Sequence, residues 1–496
     1  MSQPNVFSSL YVVSDLHLGG ESPAPQMFKQ GIEFAALINR LLSLPAGDGQ
    51  GLVINGDLVD FLAEPHADYF DALGAVSKLE RIFIDPTFEK VWQALRTFVR
   101  AKDRSLIITL GNHDLELSLP AVRRRLLQEL SRGSDSAMGR ITLAFEQEGY
   151  RARVGNADVL CVHGNEVDLW NLTDYEQLRR VARDVERNLR PPRWVPNAGT
   201  RLVIDAMNGI KARYAFVDLL KPEREAVLPT LLVLDPQQAE KVADALPSVL
   251  RLGWDSLRRA FHFLGPGEGI PPAGAGDRSL AAHMLGAMLQ ETFEGAAVVN
   301  SQTPGVRALL RRTENSWAKG VTPSELLATA PQAEFLGLRQ MILNILARKP
   351  RSEVLREALE QVSKDTSFER NIRDETFFAL RKRIPAGIHF LTAGHTHLER
   401  ALPLGPRRCY FNSGTWARLI QLAPAVLGSA TAFQPVYEAM EKGQMSDLDA
   451  VPGLVLARPA VVAFWADDAG THGELRHLAG DRLEPVERTH FLRAGK

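Results

Sequence analysis

LYVVSDLHLGG, residues 10–20, places an apolar, partly β-branched run directly before an acidic residue and a histidine. An apolar run of this length predicts a strand that is buried on both faces. Because α/β sheets build their sites just past the carboxyl ends of their strands, Asp15 and His17 are expected at a functional edge. The sequence therefore predicts an α/β fold whose first core strand leads into a site.

Four later segments repeat this arrangement of an apolar run followed by polar side chains and glycine. They are INGDLVDF (54–61), LGNHDLE (110–116), CVHGNE (161–166) and AGHTHLER (393–400). The runs before or within them, residues 52–54, 106–110, 159–162 and 388–391, are also predicted to be core strands. Segments far apart in the chain are thus expected to meet in one cluster.

The side chains of these segments are of the types that bind divalent metal ions. The candidate ligands are Asp15, His17, Asp57, Asn112, His163, His395 and His397. Carboxylate, amide and imidazole groups suit hard or borderline divalent cations. Any one such motif is common by chance, but five motifs, each after a predicted strand, favour a metal site.

In the order DxH, GD, GNHD, HG and GHTH, the motifs resemble those of the calcineurin-like metallophosphoesterase superfamily. The resemblance covers about residues 8–165 and 386–418. It implies a four-layer α/β/β/α sandwich of two mixed sheets, here with a large, mainly helical insertion. It also implies that Asp15, His17 and His397 hold one metal ion, that Asn112, His163 and His395 hold a second, and that Asp57 bridges the two.

The resemblance further implies hydrolysis of a phosphomonoester, phosphodiester or pyrophosphate by in-line attack of a metal-bridging hydroxide. His113 is expected to assist the leaving group as a proton donor, and Asp114 to orient its ring or stabilise its charge. Arg400 is a candidate for contacting a phosphate oxygen. Mn²⁺ is the first choice for the two divalent ions, and Fe, Zn and Mg²⁺ are chemically admissible.

More than 200 residues separate His163 from His395, which predicts an insertion within the core. We expect residues 1–165 to form the first part of the core, 166–385 the insertion, and 386–496 the second part. Capping boxes at 173–176 and 322–325 predict helices in the insertion. It is expected to act as a lid over the site; a homo-oligomer interface or a docking site for a protein partner is the alternative.

The C-terminal part of the chain is predicted to complete the core. CYFNSGTW, residues 409–416, is expected to add a strand and turn to the second sheet. A helix is predicted from about 417 to 442, and a closing hairpin from residues 457–465 and 473–478.

Composition favours a cytoplasmic enzyme. The formal net charge is −1 and the pI about 6.9, so there is no global signature of nucleic-acid binding. Cys161 and Cys409 lie in apolar runs and are expected to be reduced core residues. No run of about 18 apolar residues and no leader peptide is apparent.

Three narrower interpretations agree with the motifs to different degrees. The motifs are similar to those of bacterial UDP-2,3-diacylglucosamine hydrolases, but His113 stands where those enzymes commonly have arginine. A nuclease of the double-strand-break repair type would carry the same five motifs, together with a basic groove that is not evident here. A non-catalytic scaffold would be expected to lose ligands, whereas every expected ligand is present.

Overall fold

The computed structural model describes residues 4–20, 27–65, 68–168, 171–221, 223–235, 350–363 and 368–494. The chain forms two compact units. The first contains residues 1–221, 366–421 and 443–496, and the second contains 222–365 and 422–442. The second unit therefore begins later than the predicted insertion of 166–385, and it includes a segment from the C-terminal part. Residues 175–186 belong to the first unit because Tyr175, Leu178 and Val181 pack into its core.

The strands, in chain order, are β1 (Asn5–Phe7), β2 (Ser9–Val13), β3 (Gln50–Asn55), β4 (Arg104–Thr109), β5 (Ile141–Ala144), β6 (Tyr150–Val154), β7 (Ala157–Cys161), β8 (Leu220–Lys221), β9 (Phe390–Ala393), β10 (Glu399–Gly405), β11 (Arg408–Ser413), β12 (Leu419–Gln421), β13 (Val455–Leu456), β14 (Ala460–Asp467), β15 (Gly470–Ala479), β16 (Arg482–Pro485) and β17 (Phe491–Ala494). All five predicted core strands are present, as β2, β3, β4, β7 and β9.

The helices are α1 (Gly31–Ser43), α2 (Ala75–Ile84), α3 (Glu89–Arg100), α4 (Pro120–Ser131), α5 (Asp135–Met138), α6 (Tyr175–Glu186), α7 (Ala198–Leu202), α8 (Asn208–Lys211), α9 (Glu223–Leu234), α10 (Arg351–Ser363), α11 (Glu375–Arg383), α12 (Pro424–Leu427), α13 (Ala430–Lys442) and α14 (Met445–Asp449). A π-helical turn, Val203–Met207, joins α7 to α8. The second unit contains α9, α10, α12 and α13.

Two mixed sheets form the centre of the first unit. One has the order β16-β15-β14-β2-β3-β4-β5, with β17 beside β15, and the other has the order β1-β6-β7-β9-β11-β10. Strands β2 to β5 are parallel to one another, whereas β14 runs antiparallel to β2. A third, three-stranded sheet has the order β13-β12-β8.

Alternation of side chains along the strands creates the layers. Along β2, Leu10 and Val12 face the second sheet in a core shared with Phe390 and Phe411. Tyr11, on the opposite face, packs instead in the core that contains the apolar sides of α1 to α4 and α6. The second sheet is covered in turn by α11. The predicted four-layer α/β/β/α sandwich is confirmed.

Two local predictions are wrong in part. The segment from 417 to 442 is not one helix, because Leu419–Gln421 forms β12, which pairs with β8 and β13 before the chain enters α12 and α13. Helix α6 begins at Tyr175, and its N-cap is Asp174 rather than Thr173; the Asp174 side chain accepts a hydrogen bond from Gln177 N.

The other C-terminal predictions are confirmed. Residues 409–413 lie in β11 of the second sheet, and β14 and β15 form the closing hairpin. Cys161 and Cys409 are buried free thiols. The predicted helix start at 322–325 lies outside the described residues, and the proposed lid stays a prediction. In the part of the chain that the structure describes, no helix is both long and apolar enough to span a bilayer.

Candidate metal centre

The predicted ligands follow the carboxyl ends of β2, β3, β4, β7 and β9. These strands belong to both sheets, and the turns after them converge. The Nε2 atoms of His17 and His397 are 3.1 Å apart, and His397 Nε2 is 3.4 Å from Asp15 Oδ1. His163 Nε2 is 3.1 Å from Asp57 Oδ2. Among the described residues three possible ligand groups result: Asp15, His17 and His397; Asp15, Asp57 and His163; and His17, Asp60 and His113.

Five of these residues have a backbone conformation that side chains rarely adopt. Asp15, His17, Asp57, His395 and His397 have φ angles between 51° and 68°. Left-handed backbone is costly for residues other than glycine and is concentrated at functional sites. The turns at the strand ends are therefore held in strained conformations that aim the side chains into the cluster.

Glycine is required beside two of the carboxylates because there is no space for a side chain. A Cβ atom at Gly111 would overlap the carboxylate of Asp57. At Gly394 it would lie 2.5 Å from Asp15 Oδ2. The GNHD and GHTH motifs thus need their glycines for close approach of the backbone to the acidic ligands.

Each of three histidines has one ring nitrogen engaged by a partner outside the cluster. His163 Nδ1 is 2.8 Å from the carbonyl oxygen of Asn55, so this nitrogen carries the proton. His17 Nδ1 is 3.3 Å from Asp60 Oδ2, and His395 Nε2 is 2.8 Å from Asp168 Oδ2. Such partners fix the tautomer and leave the other ring nitrogen as a lone-pair donor, the arrangement typical of metal-ligating histidines.

His395 is connected to the cluster by its backbone and its ring. Its N–H donates to Asp15 Oδ1 and Oδ2 at 3.1 and 3.0 Å. Its ring centroid lies 5.4 Å from that of His163. Since Nε2 is held by Asp168, Nδ1 is the His395 atom suited to bind a metal ion.

Two buried polar atoms of the candidate ligand set have no hydrogen-bond partner among the described residues, namely Asn112 Oδ1 and His397 Nδ1. An amide oxygen that is buried without a partner costs free energy unless another group binds it. Asn112 Oδ1 is the atom expected to bind a divalent cation. The donor set therefore fits hard or borderline metal ions.

The carboxylates of Asp15 and Asp57 remain ionised at neutral pH. Burial raises the pKa of Asp57, but the charges of His163 and His113 outweigh it and hold that pKa well below its usual range. Burial also raises the pKa of Asp15, yet His163 and His397 lower it overall. Two anionic side chains in a buried cluster attract cations.

His113 lies beside this cluster, and its partner is Asp60. Its Nδ1 is 3.1 Å from Asp60 Oδ1, and its backbone N–H donates to Asp57 Oδ1 at 2.9 Å. Burial lowers the pKa of His113, but the charges of Asp60 and Asp57 outweigh it and raise that pKa to about 9. The ring is therefore an imidazolium near neutral pH, with Nδ1–H directed at Asp60 and Nε2–H left to donate.

The side chain of Asp114 contacts backbone groups, while the hydrogen bond of His113 Nδ1 goes to Asp60. The two carboxylate oxygens of Asp114 accept hydrogen bonds from the backbone N–H groups of Leu58 and Gly111, at 2.9 and 2.7 Å. It thus ties the GD turn to the GNHD turn. Burial and the charge of Asp57 raise the pKa of Asp114 to about 8.

The guanidinium of Arg400 is engaged by groups of the protein itself. The side chain is 2% exposed, Nε donates to Asp374 Oδ2 at 3.1 Å, and Nη1 donates to the carbonyl of Glu399. A buried guanidinium that is paired with a carboxylate is held in place by that pair. The geometry gives no support to the predicted contact with a phosphate oxygen.

Asp60 is the residue that the sequence reasoning missed. It lies in the GDLVDF motif, three residues after Asp57, and its carboxylate touches both His17 and His113. Its Oδ1 also accepts hydrogen bonds from the N–H groups of Leu62 and Ala63. Its position as the second acidic residue of the GDLVDF motif could have marked it as a candidate site residue in the sequence.

The comparison with protein families agrees with this geometry. The model of the family described as calcineurin-like phosphoesterase matches residues 8–215. This match identifies a calcineurin-like phosphoesterase domain and confirms the superfamily predicted from the motifs. No curated protein matches the chain. The general class of activity is metal-dependent hydrolysis of phosphoesters.

Proposed function

We propose that the chain hydrolyses phosphoesters with two divalent cations. Asp15, His17 and His397 would hold one cation, Asn112, His163 and His395 would hold the other, and Asp57 would lie between them. When bound, such cations lower the pKa of water and neutralise charge on phosphoryl oxygens. Mixed oxygen and nitrogen ligation makes Mn²⁺ the first choice.

In this proposal the part of His113 is to deliver a proton. Its Nδ1 is held by Asp60 and its side chain is 18% exposed, so Nε2–H can face a substrate. Hydrolysis forms a bond between a water oxygen and phosphorus and breaks the bond from phosphorus to the leaving-group oxygen. That oxygen would take its proton from His113 Nε2, and Asp60 would stabilise the imidazolium beforehand.

The observation that carries the proposal is the convergence of buried, ionised Asp15 and Asp57 with histidines whose outer nitrogens are already engaged. Without bound cations, burial of these charged side chains in a core would cost desolvation free energy. This cluster therefore supports an active centre over a scaffold that has lost its chemistry.

Asp57→Ala is the decisive variant for this function. With Mn²⁺ supplied, the wild type should hydrolyse bis-p-nitrophenyl phosphate or p-nitrophenyl phosphate. The variant should lose more than about 100-fold in kcat/KM, because even the outer partners of metal ligands contribute 10–100-fold. Asp481→Ala, at an exposed position, is the matched control and should keep full activity. Undiminished turnover by Asp57→Ala would refute the proposal.

A further inference from the structure

The NSGTW motif, residues 412–416, lies where β11 ends, beside turns that carry candidate ligands. The Ser413 hydroxyl is 2.7 Å from the hydroxyl of Ser14, which contacts the carboxylate of Asp15. The Thr415 hydroxyl donates to the Asp15 carbonyl at 2.9 Å. The motif therefore contacts a ligand turn although it supplies no ligand in the proposed function.

The side chain of Asn412 is buried against the GHTH turn. Asn412 pairs with Ala393 in the register of β11 and β9, one residue before Gly394. Its Nδ2 donates to the Gly394 carbonyl at 2.7 Å and to Thr396 Oγ1 at 3.1 Å. Its Oδ1 accepts from the N–H of Gly414 at 2.9 Å. Because a carbonyl only accepts and an N–H only donates, these partners fix the orientation of the amide.

The turn that Asn412 holds is strained on both sides of Thr396. His395 and His397 have φ angles of 68° and 62°. Strained backbone of this kind persists only where the surrounding structure over-determines it. The Gly394 carbonyl accepts one hydrogen bond from inside the turn, from Thr396 N at 2.8 Å, and one from Asn412. Asn412 thus ties the strained turn to β11.

Asn412 can act only through other residues. Its amide oxygen has a backbone donor, its amide nitrogen has two acceptors, and the whole side chain is buried. No polar atom of Asn412 is therefore available to a substrate. The side chains that leave the turn it holds are those of His395 and His397, which the proposed function assigns to different cations.

We infer that Asn412 is a positioning residue for both cations of the proposed centre. By holding the Gly394 carbonyl, it keeps His395 and His397 directed at their separate cations. The inference rests on the proposed function, since it requires a cation at each histidine. Asp168, by contrast, holds the ring of His395. Loss of Asp168 should weaken the binding of one cation, whereas loss of Asn412 should weaken the binding of both.

Calorimetric titration of the metal-free full chain with Mn²⁺ tests the inference. In Asn412→Ala the Kd of both ions should rise about 10–100-fold, the range expected when the outer partner of a metal ligand is removed. Asn412→Leu keeps the volume of the side chain but cannot donate a hydrogen bond. It should show the same loss, which excludes the cavity left by alanine as the cause.

Two control variants separate positioning from general stability. Thr392→Val removes a buried hydroxyl, two residues before Gly394, that has no hydrogen-bond partner among the described residues. Val154→Ala opens a cavity in the core between the two sheets. Val154 pairs with Ala157 at the start of β7, at the end of the strand opposite to His163. Both controls should keep the wild-type Kd values, although urea denaturation should show Val154→Ala to be less stable.

The outcomes separate the two claims. Wild-type Kd values in both Asn412 variants would overturn the inference while leaving the proposed function intact, and so would a loss confined to one ion. An equal loss of Mn²⁺ affinity in Val154→Ala would show a general effect of stability and would also overturn it. Failure of the wild type to bind Mn²⁺ would refute the proposed function, and the inference with it.

Discussion

Asp60 is shared by two histidines with different expected tasks. It holds Nδ1 of His17, a candidate ligand, and Nδ1 of His113, the candidate proton donor. Burial raises the pKa of Asp60, but His113 and His17 keep it well below its usual range, so the carboxylate is anionic at neutral pH. One buried anion thus orients a candidate metal ligand and stabilises an imidazolium.

His113→Ala should reveal the leaving group that His113 serves. Esters with poor leaving groups should lose about 10²–10⁴-fold in kcat, the usual contribution of general acid catalysis. Activated nitrophenyl esters need little proton donation and should lose far less. Kinetics over a series of substituted phenyl esters, with bound Mn²⁺ measured in parallel, test this. Equal losses across the series would argue for a positioning role, and reduced metal content would make His113 a ligand.

Asp168→Ala should weaken metal binding without removing a ligand. Asp168 holds His395 Nε2, so its loss frees the ring to change tautomer and orientation. We expect Mn²⁺ affinity to fall about 10–100-fold, measured by titration calorimetry, with Asp481→Ala as the exposed control. An unchanged dissociation constant would show that the Asp168 contact does not position His395.

For single residues, the sequence predicted which side chains belong to the candidate site. It did not predict their hydrogen-bond partners. The motifs indicated Asp15, His17 and Asp57 because metal sites require particular side chains. That His113 pairs with Asp60 rather than Asp114 depends on how the turns after β3 and β4 pack, which adjacency in sequence does not encode. The left-handed backbone conformation of the candidate ligands could not be predicted either. Aspartate and histidine, like other residues with a side chain, usually have negative φ angles.

At the scale of elements, strands were predictable where apolar runs were continuous and buried on both faces. The short strand β12 was missed because its stability comes from pairing with β8 and β13, which are distant in sequence. Its apolar residues, followed by those of α12 and α13, fit a helical pattern equally well. The start of α6 was predicted to within one residue, because the side chain of Asp174 rather than that of Thr173 caps it; Asp374, which caps α11, was not singled out from the sequence.

These two caps allow a matched comparison of stability. Asp374 accepts a hydrogen bond from Phe377 N and also pairs with buried Arg400, whereas Asp174 has no such buried partner among the residues that the structure describes. Asp174→Ala should cost about 1 kcal/mol in the free energy of unfolding. Asp374→Ala should cost about 2–4 kcal/mol, because it also leaves Arg400 unpaired, and 22% exposure of Asp374 moderates the loss.

Urea denaturation measures both variants. Adding Arg400→Met to Asp374→Ala should recover part of the loss, since the uncompensated buried charge is then gone. Equal costs for the two single variants would contradict a structural role for the Arg400 pair, and would restore Arg400 as a candidate for substrate contact.

At the scale of the whole molecule, the candidate metal centre is built from both sheets of the sandwich. Asp15, Asp57 and Asn112 follow strands of one sheet, and His163 and His395 follow strands of the other. The sequence predicted this convergence because five strand ends carried complementary ligands. The predicted insertion of 166–385 stays a prediction; in the structure, residues 166–221 belong to the first compact unit.

The number of Mn²⁺ ions bound per chain tests the central claim most directly. Equilibrium dialysis followed by elemental analysis should give two ions per wild-type chain and fewer than two for Asp57→Ala, which lacks the bridging carboxylate. One ion or none in the wild type, or two in the variant, would contradict a dinuclear centre built around Asp57.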